Sequence, residues 1–303
     1  MTLLEEKAAA APPAAAPAPK KSVKPKQKVA RKPNGALHGI GITLCLIAVL
    51  VLGFVVYLFG LSRIQEQRVQ NTMYKTLRDE MARGVAPTAP TKNGKPVAVL
   101  NIPRLGLDKS VVIEGTRPAD LMNGPGHRTD TPLPGQPGVS VVDGRHGTFG
   151  APFGHLTRLQ QGDPITVITG YGTAKYQVAA IGDDRNPPQL TAANRLMLVT
   201  TNSSNIPTRS VIVGAVMVGN PLPAGTLSYA SEPASNEKNL AIDTKALQPL
   251  MLWSLALALV SAIGTIAAAR WARWPAYLAC SPVLLAIAWN IYENAAQLLP
   301  NLY

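Results

Sequence analysis

Cysteine is almost missing from this chain: two stand in 303 residues, Cys45 and Cys280. Each lies inside a long apolar run, so no disulfide framework and no thiol nucleophile is available to the segment between them. Histidine is scarce too, at His38, His127, His146 and His155. None pairs with another at a spacing that builds a zinc site. A glycine-rich loop of the phosphate-cradling kind is also missing. No metal and no cofactor is therefore expected. Acidic residues are few, 17 against 29 Lys and Arg, for a net charge of +12.

The positive excess is uneven. Residues 1–35 hold eight Lys/Arg against two Glu and are rich in Ala and Pro. Such a segment buries too little apolar surface to fold and is expected to be disordered. A basic tail suits nucleic acid, but here an uncharged apolar run comes directly after it. Residues 36–62 exceed the roughly 20 residues that cross a bilayer core. The Lys-rich flank places the N-terminus in the cytoplasm, drawn to anionic membrane lipid, and nucleic acid is not expected as a partner.

Residues 63–96 read as a helical stalk and linker. Val69, Met73, Leu77 and Met81 make a narrow apolar stripe, and the helix either continues the span or packs on the 97–219 domain. Residues 97–219 carry short β-branched runs separated by turn signals: Val97–Ile102, Ser110–Ile113, Val139–Val142, Ile165–Thr169, Lys175–Ile181, Leu196–Thr200 and Val211–Val218. Gly124 to Gly138, including His127, reads as loop. The fold class is mainly β, a barrel or sandwich. Residues 220–248 read as a flexible linker. Two further apolar runs, 249–270 and 274–293, are transmembrane candidates with Arg270 and Arg273 between them, leaving a short tail at 294–303. This topology puts the 97–219 domain and the tail outside the cytoplasm. It leaves the hairpin available to a membrane-protein partner.

One stretch organises the domain. Val139-Ser140-Val141-Val142-Asp143 reads as a buried strand, and Gly144-Arg145-His146-Gly147 as a sharp turn. Thr148-Phe149-Gly150-Ala151-Pro152-Phe153 continues as a loop leading to a helical start near His155. On its residues alone this is a core strand with an ordinary surface loop. The polar pair Arg145-His146 at a strand end also suits a site.

The same stretch resembles the histidine-bearing segment of the sortases, cysteine transpeptidases of Gram-positive cell surfaces. Further resemblances come in order: Ile102-Pro103 with Leu105-Gly106-Leu107, Glu114-Gly115-Thr116, Gly124-Pro125-Gly126-His127, Gly162-Asp163, Tyr176, and Leu196-Met197-Leu198-Val199-Thr200. The resemblance covers 97–219 and implies a closed barrel of about eight strands. With the apolar runs it implies one N-terminal and two C-terminal transmembrane helices around it. It also implies a site. The family's nucleophilic cysteine falls on Thr201, its histidine on Arg145, and its arginine on Arg209.

Two of the three family residues are therefore replaced. A threonine hydroxyl needs an adjacent base to attack a carbonyl, and arginine cannot be one. His146, one place after Arg145, and His127 are the candidate bases. The reading put first is a membrane-anchored, catalytically degenerate module of the cell envelope. It would bind a peptide, surface protein or cell-wall partner in a groove lined by Thr201, Arg145, Arg209 and His127. The alternative is an active transpeptidase or hydrolase with Thr201 or Ser203 as nucleophile.

Overall fold

The computed structural model describes residues 35–89, 91–202, 207–224, 237, 242–270 and 273–303. Residues 47–303 pack as one unit. The basic tail 1–34, most of the 220–248 linker and Ser203 lie outside the described residues.

Helix α1 (Gly35–Val56) passes through a π-turn at Tyr57–Leu61 into α2 (Ser62–Ala82). Helices α4 (Leu247–Arg270) and α5 (Arg273–Ala296) form a hairpin at the other end of the chain. Among the described residues, three helices are long and apolar enough to cross a membrane. Between them eight strands close a barrel: β1 (Pro96–Ile102), β2 (Leu107–Glu114), β3 (Gly126–His127), β4 (Val139–Asp143), β5 (Pro164–Thr169), β6 (Gly172–Asp183), β7 (Arg195–Thr201) and β8 (Ser210–Val218). Their order around the barrel is β1-β2-β3-β4-β7-β8-β6-β5, returning to β1. The pairs β2/β3 and β4/β7 are parallel and the others antiparallel.

The interior results from two-residue alternation. Leu196 and Leu198 of β7, Val213 and Ala215 of β8, and Val142 of β4 point in and join Leu100, Val112, Ile165 and Tyr176 in one core. One strand, β3, departs from the sequence expectation of a loop. Gly126 and His127 are two residues flanked by Gly and Pro, and so short a segment carries no alternation. They close the seam by pairing with β2 on one side and β4 on the other. A side chain at 126 would put its Cβ 2.3 Å from the Gly115 carbonyl, so only glycine fits this close backbone approach.

Helix α2 packs on the barrel. Leu77 is buried against Val99 and Val111. The Gln70 amide brackets Val111, accepting from its N–H at 2.7 Å and donating to its carbonyl at 3.0 Å. The ends of α1 and α5 meet beside the barrel. The Tyr57 ring lies edge-on to Trp289 and to Phe149, at 5.2 and 6.1 Å between centroids.

Candidate functional site

Strands β4 and β7 run parallel, with Val142 opposite Leu198 and Asp143 opposite Val199. Because alternate residues fill the barrel, Val141, Val199 and Ile212 face outward. Leu121 of α3 (Pro118–Leu121) joins them to make an apolar floor outside the barrel wall. Thr201 ends β7 at the edge of this floor. The turn after β4 is pinned to the same edge. Gly144 donates its N–H to Val199 O at 2.9 Å, and the Thr200 hydroxyl donates to Gly144 O at 2.8 Å. A Cβ at 144 would enter the buried Phe153 ring at 2.4 Å. The glycine therefore lets the turn lie flat on the ring.

Arg145 is completely buried. Its guanidinium stacks over Phe149 at 4.9 Å from the ring centroid, the face an aromatic quadrupole offers a cation. It donates to the Thr148 hydroxyl at 3.1 Å and to Pro118 O at 3.2 Å, while Nε has no hydrogen-bond partner among the described residues. Among the described residues no carboxylate stands within ion-pair distance of it. Burial pulls its pKa down to about 9, with opposing help from Tyr57, so it stays a cation at neutral pH.

The His146 main-chain N–H points to the floor, and the residue also lines a separate cavity of about 860 Å³ bounded by Glu66, Gln70 and Tyr74 of α2 and by His155. Burial, then the neighbouring His155, lowers the pKa of the ring, and Nδ1 has no hydrogen-bond partner among the described residues. His127 is fully buried in β3. Its Nδ1 faces the Glu114 carboxylate at 3.2 Å, and Nε2 lies 3.0 Å from Pro132 O. Arg209 stands opposite Asn202, one residue beyond the Thr201–Ser210 pair. Half-exposed, it reaches Asp183 of β6 at 4.0 Å. The structure thus brings Thr201 and the Arg145 turn to one edge. It gives His127 and the Arg209 guanidinium other neighbours.

The floor is not bare. The chain after α5 folds back over it, and Asn301 and Leu302 are buried. Leu302 packs on Leu121, Val199, Val141 and Ile212. Its carbonyl accepts from the Thr201 hydroxyl at 3.1 Å and from His146 N–H at 2.9 Å. The Thr148 hydroxyl donates to Tyr303 O at 2.7 Å, and Asn301 Nδ2 donates to Thr116 O at 3.2 Å. None of these three residues is a candidate from sequence. The one signal is a pair of apolar residues, Leu302 and Tyr303, beyond the end of an apolar run.

Residues 100–218 match the model of the Sortase domain family. Sortase SrtE1 of Streptomyces coelicolor is 29% identical over 166 residues, 52% of this chain and 47% of that protein. Sortase D of Bacillus subtilis is 27% identical over 132 residues, 41% of this chain and 65% of its own length. The chain thus spans about half to two-thirds of these curated relatives. Among solved structures, a Clostridium perfringens sortase D5 transpeptidase aligns with a TM-score of 0.42 at 23% identity. That alignment covers 50% of this chain and 99% of the other. Sortase E of Streptomyces avermitilis aligns at 0.35 and 26%, over 43% and 93%. With the ordered motifs on β1, β4 and β7 and the closed barrel that carries them, residues 100–218 form a domain similar to those of the sortases.

Proposed function

We propose that the barrel is a catalytically degenerate sortase, a membrane-anchored module that binds a peptide or partner protein of the cell envelope without transferring it. The observation that carries this reading is the hydrogen bond of the Thr201 hydroxyl. It goes to a main-chain carbonyl, that of Leu302, and not to an imidazole or carboxylate able to take its proton. The neighbouring cation, Arg145, stays protonated, and among the described residues the His146 Nδ1 has no hydrogen-bond partner, Thr201 included. A hydroxyl without a base is a poor nucleophile. The floor of Val141, Val199 and Ile212 supplies apolar contact for an extended peptide. Arg209 supplies a guanidinium at its β7–β8 end for a carbonyl or carboxylate.

The same reading puts the N-terminus and the α4–α5 loop in the cytoplasm and the barrel outside. The contacts of Tyr57 support it: the barrel-proximal ends of α1 and α5 meet at Tyr57, Trp289 and Tyr292, next to Phe149. Both helices then leave the membrane on one side. A thiol introduced at exposed Lys109 should react with an impermeant reagent on intact cells, and one at Ser22 should not; the opposite pattern reverses the orientation. For the chemistry, the chain is incubated with cell-wall and surface-protein peptides and examined by mass spectrometry. No acyl adduct is expected on Thr201, and Thr201→Ala should support cellular function as well as the unaltered chain. An adduct on Thr201 or Ser203 makes the domain an active transpeptidase or hydrolase instead.

A further inference from the structure

We infer that residues Leu299–Tyr303 are an internal ligand of the β4–β7 cleft, a strap of the chain's own peptide that an incoming peptide must displace. The inference rests on the peptide-binding reading above but adds what that reading lacks, a resident occupant of the same site.

The contacts are those by which a cleft reads a peptide. Main-chain atoms carry part of the attachment: Leu302 O takes two donors, Thr201 and His146, and Tyr303 O takes the Thr148 hydroxyl. One side chain fills the apolar floor, Leu302, with no exposed surface. A second is read through its amide, Asn301 against Thr116 O. Upstream, Leu299 packs with Tyr57, Phe149 and Met122, so the strap is continuous from the end of α5 to the floor. The barrel supplies donors at the positions that the family resemblance assigns to the site: the hydroxyl at 201 and the main chain of the 144–148 turn. Buried Arg145 backs the arrangement, since its guanidinium holds the Thr148 hydroxyl that in turn holds Tyr303 O.

The strap is anchored at one end by a helix, so binding it costs little entropy, and its local concentration is high. A peptide in trans sees only the fraction of molecules whose cleft is open, and its apparent affinity falls by that fraction. Peptides that compete need an aliphatic residue at the Leu302 position and a main chain able to take the turn that the Tyr303 N–H closes on Pro300 O. Movement of the α1/α5 ends against Phe149 would pull the strap, which couples the cleft to the membrane helices.

The test uses the full chain in detergent micelles, with Cys45 and Cys280 replaced by serine and Thr201→Cys as the reporter. In the chain with its own 299–303, labelling of residue 201 should be slow. Replacing 299–303 with Gly and Ser, or making Leu302→Asp, should raise the labelling rate about tenfold or more. Leu198→Cys inside the barrel should stay unlabelled in each, which separates release of the strap from unfolding. Leu302→Asp keeps the chain length and decides the matter if the five-residue replacement loosens the barrel. A fluorescent peptide copying 297–303 should bind the strap-replaced chain saturably and the unaltered chain about tenfold more weakly or not at all. The same peptide with Ala at the 302 position should lose affinity. Equal labelling at 201 with and without the strap overturns the inference and leaves the peptide-binding reading standing. Labelling released by strap replacement, with no peptide bound, upholds the strap and removes the peptide-binding reading.

Discussion

The hydroxyl of Thr201 and the main-chain oxygen of Leu302 lie 3.1 Å apart, although 101 residues separate them. The bond joins the last residue of β7 to the segment after α5, and it places a peptide carbonyl at the position to which the family resemblance assigns the nucleophile. Thr201→Ala removes one hydrogen bond whose acceptor keeps a second donor, His146 N–H. The expected cost is about 0.5–1.5 kcal/mol of stability, read as a small drop in the midpoint of thermal unfolding. A collapse of the fold would show that the hydroxyl is structurally essential.

Arg145→Ala should be far more damaging. The guanidinium is fully buried on Phe149, and its removal leaves the Thr148 hydroxyl and Pro118 O short of a donor and opens a cavity. A loss of roughly 3 kcal/mol or more is expected from truncating a large buried side chain. Arg145→Lys should recover little of it, because an ammonium cannot span both acceptors while lying flat on the ring. Thermal unfolding of the two variants in micelles checks this; a harmless Arg145→Ala would mean that the cation contributes nothing to the turn.

The order of the strands and the strand–turn of 139–147 are legible in the sequence, because Val139, Val141 and Val142 and the Leu196–Thr200 run alternate around fixed glycines. The candidate site can be proposed from sequence as a set of positions, but their arrangement cannot be read there. His127 has the sequence surroundings of a loop residue facing a groove. It sits instead in a two-residue strand with its ring between Glu114 and Pro132, a placement that comes from barrel closure and leaves no local pattern. His146 lines the cavity beside α2 while the adjacent Arg145 is buried, and sequence gives offset but not direction in a turn. The return of Leu302 to Thr201 is a contact between distant parts of the chain, set by where α5 ends.

The carboxyl of Asp143 at the end of β4 gives a pH signature. Burial raises its pKa from 3.8 to about 6, opposed in part by Arg128, and Oδ1 has no hydrogen-bond partner among the described residues. A carboxyl whose pKa is raised on folding favours the folded state in its protonated form. Its contribution is complete below the unfolded value of 3.8 and is lost as pH rises through about 6. Asp143→Asn should therefore remove that slope. Relative to the unaltered chain, the variant should gain stability between pH 4 and pH 7, measured as unfolding midpoints across the range. A variant whose midpoints run parallel to those of the parent would show that Asp143 is already ionised near its ordinary value.

Placing cysteine at 201 and histidine at 145, as the family resemblance assigns them, tests the proposed loss of catalysis. Thr201→Cys restores a thiol, and Arg145→His restores an imidazole at the turn. Two features of the structure stand against recovery. The position at 145 is a closed pocket shaped by Phe149, Thr148 and Pro118 around a long planar cation, and a shorter imidazole there has no built orientation toward residue 201. The thiol would still lie under the Leu302 carbonyl. The double variant should therefore cleave a sorting-type peptide weakly at most, and any cleavage should be abolished by a thiol-alkylating reagent. Adding the replacement of 299–303 should increase the rate if occupancy of the cleft is the second barrier. The increase should be about tenfold or more, in line with the fraction of clefts opened. Cleavage at full rate by the double variant alone would mean that neither the pocket at 145 nor the strap limits the site. The two substitutions would then be the whole of what separates this chain from an active sortase.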